Sequence, residues 1–378
     1  MKRLTCALLV LTLCLTMAAC GEKTETKGTI TEGLCYEATG ISPDETVVTV
    51  DGVEIPMDIY YYFLMESTIY AEQFLGYYGM ELDWEMKFSG ESTVADVVRE
   101  EAYLNAVQLA TIETLVDKYD IALDEAAKKE MDDQLAAAIE QVGGEEAYYE
   151  IVANMGLRPE SYERIRSAQY LQMALQQYYL TEGSELYVED DVLAAFAEEN
   201  GVMTADHILF GTVDELTRQP LDEATIAERK AQAEKTLADL RAYAGDDLYG
   251  YFAELGAEYS TDPGRALNPE GYTFGPGQMV QAFESGAVAL EVGEVSELIE
   301  TEFGYHIILR KELNEQLAAN LVRSDYFAKL VDEIMSGTTV EESDKLAALD
   351  VAAAYDAFLA VQNAGEDTAE ESGESAEG

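Results

Sequence analysis

The sequence predicts a helical body that is interrupted by a mixed α/β unit. Two stretches carry apolar residues at helical spacing: residues 94–180, and the residues that follow Glu312. Between them, residues 204–312 alternate strand and helix signals. Each helical stretch has an apolar face to bury, so we expect the late helices to pack on the early ones. The predicted chain is therefore multidomain, with the α/β unit inserted into the helical body.

The first residues, 1–19, have the composition of a signal peptide. Lys2 and Arg3 precede an apolar run, Leu4–Met17, that is too short to span a bilayer. Small residues then precede Cys20, a pattern typical of bacterial lipoproteins. It predicts that Cys20 carries a lipid that anchors the protein outside the cytoplasm, at the cell membrane. An ordinary secretory signal, cleaved after small residues, is the alternative.

A polar segment follows and predicts a flexible, lipidated tether over residues 20–44. It contains Cys35, which has no disulfide partner if Cys20 carries lipid. The run Val47–Val53 then predicts a short hairpin with an Asp-Gly turn.

Residues 47–200 are predicted to form the N-terminal part of the helical body. Pro56 opens its first helix, because the first turn of a helix needs no N–H there. Glycines punctuate the ends of several of the later helices. The predicted helices run from Pro56 to about Leu75, within 94–119, over 126–142, over 145–154, from Pro159 to about Leu180, and over 188–200.

Residues 313–361 return to helical spacing, with a last helix predicted over Glu341–Val361. The final residues, 364–378, are acidic, contain no large apolar side chain and are predicted to be disordered.

The charge of the chain limits its partners. Asp and Glu number 75 against 23 Lys and Arg, a net charge of −52. Nucleic acids and anionic membrane surfaces are therefore excluded as electrostatic partners. The hydrophobic content of 48% is nevertheless enough to build buried cores.

The chain has only two histidines, and they stand in matching contexts. His207 and His306 are each followed by a short apolar run that favours β structure. Two strands that present an imidazole at the same position predict one shared site within a single compact unit.

Six blocks of this unit resemble, in the same order, the parvulin class of peptidyl-prolyl isomerases. The blocks are Ala205–Leu209, Phe252–Leu255, Tyr259–Gly264, Gly277–Val280 with Phe283-Glu284, Gly293–Ser296 and Phe303–Ile308. The resemblance implies an α+β domain over residues 204–312, built from an antiparallel sheet with helices. Its implied activity is the isomerisation of X–Pro bonds, without a cofactor or a metal.

The same resemblance identifies the catalytic group. His207 and His306 match the paired histidines of the class, whose implied role is to orient the site and set its polarity. Asp262 stands where the class carries Cys or Asp and would tune the electrostatics near the substrate carbonyl.

The substrate-binding residues are also identified by resemblance. The proline ring is expected to lie against Met279 and Phe283, with Phe274 behind it. Thr301 and Phe303 match neighbouring positions of the pocket.

Other chemistries are disfavoured by the residues themselves. A zinc site would need further ligands, and no C-x-x-C or H-E-x-x-H motif is present. Ser260–Asp262 with the histidines could suggest a hydrolytic triad, but no G-x-S-x-G motif supports one.

The unit departs from the parvulin pattern in two places. Residues 268–272 replace a Gly-Gly-Asp-Leu-Gly-like run and place Gly271 at the position of an apolar pocket residue, which would open the pocket and weaken turnover. Arg218 is the one base in an acidic stretch where phosphate-directed parvulins carry a basic cluster. A preference for phosphorylated Ser/Thr-Pro is therefore not expected.

The flanks, residues 47–200 and 313–361, more loosely resemble the SurA/PrsA-type chaperone body, most clearly at Met155–Leu157, Tyr162 and Arg166. The whole resemblance implies an extracytoplasmic foldase that binds unfolded secreted proteins and isomerises their X–Pro segments. The alternative is a holdase chaperone whose parvulin domain is catalytically weak and serves to bind peptides.

Overall fold

The structure, a computed structural model, describes residues 33–214 and 217–373. Contacts divide the chain into two units. The second unit is Val188–Phe327, and the first combines the chain that precedes it with the chain that follows it. The predicted fold class, a helical body with an inserted α+β domain, is confirmed. The predicted signal peptide and Cys20 lie outside the described residues.

The first unit is mostly helical. Its helices are α1 (Gly33–Thr39), α2 (Met57–Tyr77), α3 (Val94–Lys118), α4 (Glu125–Gln141), α5 (Glu145–Asn154), α6 (Pro159–Leu180), α12 (Asp344–Ala347) and α13 (Val351–Gly373). Its strands are β1 (Thr46–Val50), β2 (Val53–Pro56), β3 (Lys87–Ser89), β4 (Ser92–Thr93) and β9 (Val340–Glu342). Helix α11 (Glu315–Gly337) runs across the boundary between the units.

A small sheet joins the two ends of the first unit. β1 and β2 form the predicted hairpin, in which Asp51 and Gly52 adopt the positive φ angles, 49° and 91°, that a type I′ turn requires. β9 adds to the other edge of β1, where Val50 pairs with Val340. The helix predicted over Glu341–Val361 was therefore wrong at its start, because Val340–Glu342 form this strand and α13 begins only at Val351. Three residues are too few to show the alternating pattern of a strand.

Two predictions at the ends of the described chain were wrong. The expected tether contains α1, whose Leu34 and Cys35 are buried in the core of the first unit. These apolar side chains give the segment a face to bury. Their burial also raises the pKa of the Cys35 thiol to about 12. At the other end, α13 continues to Gly373, past the expected start of disorder at Ala364. The remaining residues, 374–378, lie outside the described part.

The Met155–Leu157 turn in the first unit depends on a glycine. Gly156 has φ +82°, and a Cβ built there would lie 2.5 Å from the ring of Tyr61. The following residue, Arg158, reaches the fully buried Asp58 with its guanidinium and its backbone N–H. The turn is therefore fixed to α2 both by close packing and by a buried ion pair.

No helix within residues 33–214 and 217–373 combines the length and the apolar character needed to cross a membrane.

The second unit is an α+β domain. Its strands are β5 (Met203–Gly211), β6 (Tyr272–Phe274), β7 (Ile299–Thr301) and β8 (Gly304–Lys311). Its helices are α7 (Asp190–Glu199), α8 (Glu223–Ala242), α9 (Leu248–Tyr259) and α10 (Gln281–Val288). The four strands form an antiparallel sheet in the order β6-β5-β8-β7.

The sheet is covered on both faces, and the alternation along β5 decides which side chain meets which helix. Ile208 and Phe210 pack with residues of α8 and α9. Ala205 packs on the other face with Phe283 of α10. All nine residues of β5 are buried, so its side chains are divided between two cores rather than between a core and solvent.

Candidate active site

The two histidines meet on the α10 face of the sheet. In the register between β5 and β8, His207 pairs with Ile308, and Leu209 pairs with His306. The histidines are thus diagonal neighbours on one face, and their rings stack with centroids 5.2 Å apart. The two Nδ1 atoms lie 3.0 Å apart, within hydrogen-bonding distance. The structure therefore brings together the two histidines that were predicted to share a site.

Asp262 reaches His207 from the loop that follows α9. One carboxylate oxygen, Oδ2, lies 3.0 Å from Nε2 of His207, and the other accepts the backbone N–H of Gly264. The loop is held against β5 by neighbouring hydroxyls. Ser260 accepts the N–H of Leu209, and Thr261 accepts the N–H of Gly211.

Thr301 closes the other end of the arrangement. Its hydroxyl lies 2.8 Å from Nε2 of His306, and its oxygen accepts the backbone N–H of Phe303. The four side chains Asp262, His207, His306 and Thr301 therefore form one continuous chain of hydrogen bonds.

The charge of Asp262 determines the direction of these bonds. Burial would raise the pKa of this carboxyl, but hydrogen bonds from His207 and Tyr272 outweigh it and lower the pKa to about 2. The ionised carboxylate can only accept, so His207 carries a proton on Nε2. The other ring nitrogen of His207, Nδ1, faces Nδ1 of His306 across the 3.0 Å contact.

The second histidine, His306, is neutral. Burial, assisted by the charge of His207, lowers its pKa to about 3. A neutral imidazole donates through one ring nitrogen and accepts through the other, and the two partners of His306 are Nδ1 of His207 and the Thr301 hydroxyl. All four ring nitrogens of the two histidines are thereby engaged.

An apolar cluster lies beside the histidines. Phe274 and Phe283 are almost fully buried in it, and Met279 packs on its edge. The Phe283 ring meets both His207 and His306 edge-on, at 5.2 and 5.5 Å between centroids. The structure thus brings together the three residues predicted to contact the proline ring, although Met279 precedes α10 rather than belonging to it.

Phe303 lies apart from that cluster, in the turn between β7 and β8. The guanidinium of Arg218 lies over its ring, 5.6 Å from the centroid. Arg218 is exposed and has a positive φ of 56°. A cation therefore stands at this edge of the site.

Two contributors were missed by the sequence analysis. The hydroxyl of Tyr272 donates to Oδ2 of Asp262 at 2.5 Å. Its alternation with Phe274 along β6 was a signal that both face the same side of the sheet. Arg265 binds the carboxylate of Asp206 and the carbonyl of His207, which ties the Asp262 loop to β5. A residue isolated in a loop gave no comparable signal.

The interpretation of Gly271 was wrong. Gly271 has φ +94°, and a Cβ built on it would lie 2.8 Å from the carbonyl oxygen of Ala205. The position therefore faces the backbone of β5 rather than an open pocket. Its glycine allows the chain to approach that strand, and Tyr272 beside it supplies a ring that meets His207 edge-on.

A family model described as Rotamase, PPIC-type PPIASE domain, matches residues 207–312. These residues form a parvulin-type isomerase domain. The match contains every predicted site residue except Cys20, and it lies within the second unit.

Known proteins are similar to the chain beyond this domain. The foldase protein PrsA of Halalkalibacterium halodurans is 33% identical over 204 residues, which cover 51% of this chain and 54% of that protein. PrsA of Geobacillus kaustophilus is 36% identical over 138 residues, 33% of this chain and 44% of that protein.

The chaperone SurA of Chromohalobacter salexigens is 34% identical over 154 residues, 38% of this chain and 32% of that protein. The chain spans about half the length of the PrsA relatives it matches. The predicted likeness to PrsA/SurA-like foldases with a parvulin domain is confirmed.

The neutral state of His306 can be tested directly, because the full chain has only two imidazoles to observe. We expect nitrogen NMR of histidine-labelled protein to show His306 neutral at about pH 5, where a free histidine is mostly charged. Below about pH 6.5 the unfolded chain binds a proton at this histidine, whereas His306 in the folded chain stays neutral. This histidine therefore lowers stability by about 1.4 kcal/mol per pH unit as pH falls towards its folded pKa.

The variant His306→Gln assigns the signals. It should also remove this part of the fall in stability with pH. A His306 signal that titrates near the free value would contradict the arrangement.

Proposed function

We propose that the domain isomerises X–Pro peptide bonds by non-covalent stabilisation of the twisted bond. Rotation about a peptide bond has a barrier of about 18–20 kcal/mol, which comes from resonance. In the twisted state this resonance is lost and the bond is less dipolar. Apolar surroundings therefore favour the twisted state over the planar one. The observation that carries the proposal is the cluster of Phe274, Met279 and Phe283 beside the histidines.

The hydrogen bonds of the histidines support a mechanism without proton transfer. Each ring nitrogen of His207 and His306 already has a partner, in Asp262, in Thr301 or in the other imidazole. A general base needs a free lone pair directed at the substrate. The histidines therefore act as a rigid wall that holds Asp262 in place, and the carboxylate sets the electrostatics near the substrate carbonyl.

The first test is turnover of Ala-Pro peptides by the full-length chain, measured by NMR exchange. We expect Met279→Ala to lower kcat/KM by about tenfold, the equivalent of losing about 1.4 kcal/mol of contact with the twisted state. The control is Leu267→Ala in the same domain, because Leu267 is 85% exposed and should not affect turnover.

Phosphorylated Ser-Pro peptides should be isomerised no faster than Ala-Pro peptides, since Arg218 is the one base in the acidic stretch that precedes α8. If the wild-type protein shows no turnover of Ala-Pro peptides, the isomerase proposal fails, and the domain would serve only to bind peptides. A large preference for phosphopeptides would overturn the argument from charge.

The second candidate function, binding of unfolded chains by the first unit, is favoured by an exposed aromatic patch. The patch consists of large apolar side chains that are at least 39% exposed and lie in the second half of α2, just after it, or on β3. They are Tyr70, Phe74, Tyr77, Tyr78, Met80 and Phe88. Phe74 contacts both Tyr78 and Phe88, with centroids 5.1 and 5.6 Å apart. Exposed apolar surface of this kind typically marks an interaction site.

The chemistry of the patch suits unfolded client segments. Aromatic faces and a thioether accept many apolar side chains without a fixed geometry, so binding there would be weak and tolerant of sequence. The net charge of −52 would favour segments that also carry Lys or Arg. The proposed clients are therefore unfolded secreted proteins with mixed apolar and basic stretches.

The two functions should be separable. We expect Tyr77→Ser with Tyr78→Ser to weaken the suppression of aggregation of an unfolded protein and to leave Ala-Pro turnover unchanged. The matched control replaces Met173 and Leu180, which are also exposed but belong to α6.

Deletion of the parvulin domain is a second test. A chain without residues 204–312 should suppress aggregation and lose all turnover. If that deletion abolishes suppression, the parvulin domain alone holds clients.

We further propose that Cys20 is lipidated and holds the protein at the outer face of the cell membrane. The proposal rests on the small residues before Cys20 and on the short apolar run that precedes them.

The test of this anchor is Cys20→Ala, which should release the protein from the membrane fraction. Intact mass of the wild type should show cleavage before Cys20 and an added lipid. An unmodified N-terminus, or retention of the variant at the membrane, would count against the anchor.

A further inference from the structure

Tyr272 contacts two members of the hydrogen-bonded chain at once. Its ring meets His207 edge-on, with centroids 5.4 Å apart and an interplanar angle of 86°. Its hydroxyl donates to Oδ2 of Asp262, the same oxygen that receives the Nε2 proton of His207. That oxygen is therefore held by two donors that approach from different strands.

The space for this hydroxyl is provided by Gly264. A Cβ built on Gly264 would lie 2.3 Å from the Tyr272 hydroxyl oxygen but 3.4 Å from the nearest ring carbon. Gly264 does not have a positive φ, so its backbone accepts alanine without strain. The glycine is needed for the hydroxyl specifically, and not for the ring or for the turn.

The hydroxyl remains a donor throughout the working range of the protein. Burial and the hydrogen bond to the negative Asp262 raise the pKa of Tyr272. Because the phenol keeps its proton, it can donate to the ionised Asp262 carboxylate throughout this range.

We propose that Tyr272 is a positioning residue of the isomerase site, whose hydroxyl holds the Asp262 carboxylate in the orientation that receives the proton of His207. The proposal rests on the proposed isomerase function and adds a residue to it. Without the hydroxyl, Oδ2 keeps one donor instead of two, and the carboxylate can turn away from the imidazole. The placement of the His207 proton on Nε2 depends on that contact.

The test combines kinetics with the imidazole spectrum of the full-length chain. In Tyr272→Phe we expect kcat for Ala-Pro peptides to fall by roughly tenfold with a smaller change in KM, since hydrogen bonds to charged groups are among the strongest in proteins. We expect the Nε2–H resonance of His207 to be protected in the wild type, where the side chain is buried against Asp262, and to broaden in the variant through exchange with water. A merely structural role for the ring would leave that resonance unchanged.

Gly264→Ala supplies an independent route to the same state. It retains the tyrosine but fills the space of its hydroxyl, so it should reproduce both effects of Tyr272→Phe. In the double variant Gly264→Ala with Tyr272→Phe the clash is absent, so turnover should be no lower than in either single variant. Leu267→Ala serves as the control in the same domain.

Each result decides the proposal. A Tyr272→Phe variant with wild-type turnover and a wild-type His207 resonance overturns it. Reduced turnover with an unchanged resonance would make the tyrosine a pocket wall and overturns it as well. Additive losses in the double variant would show that Gly264 acts independently of the hydroxyl. If wild-type protein has no turnover, the isomerase function fails, while the spectra still report whether Tyr272 orients Asp262.

Discussion

The antiparallel register between β5 and β8 determines the arrangement of the site. It places His207 opposite Ile308 and His306 opposite Leu209, so the two imidazoles meet diagonally on one face. A slip of one residue would move His306 to the opposite face, among the side chains that pack on α8 and α9. That slip is prevented because both faces of β5 are buried in different apolar cores, and each core accepts only one of the two alternating sets.

Burial of the histidines imposes a condition on everything around them. A polar group removed from water needs a hydrogen-bond partner, or it costs the free energy of desolvation. His207 and His306 are at most 8% exposed, and they satisfy each other, Asp262 and Thr301. The anionic end of this chain of hydrogen bonds holds a proton on Nε2 of His207. The bonds that stabilise the buried histidines also occupy their ring nitrogens, and this is consistent with the proposed reaction, which breaks no covalent bond.

Much of this arrangement could be predicted from local signals. The paired histidines, the hairpin turn at Asp51-Gly52 and the helix that begins at Pro159 each depend on residues close in sequence. Elements whose partners lie far away in the chain were missed. Strand β9 exists because β1 has a free edge, and α1 is helical because the core of the first unit accepts Leu34. Neither partner can be identified from the short segment itself.

The departure at residues 268–272 shows the same limit within the site. In the sequence alone, Gly271 suggests that the pocket lacks an apolar side chain, and Tyr272 suggests an aromatic residue without a role in the site. In three dimensions they form one feature: the glycine brings the chain against the Ala205 carbonyl, and the tyrosine then reaches Asp262 over Gly264. The ring completes the apolar side of the pocket, while the hydroxyl joins its polar side. Changes at Gly264 and Tyr272 should therefore be coupled, because the hydroxyl occupies the space that the glycine leaves.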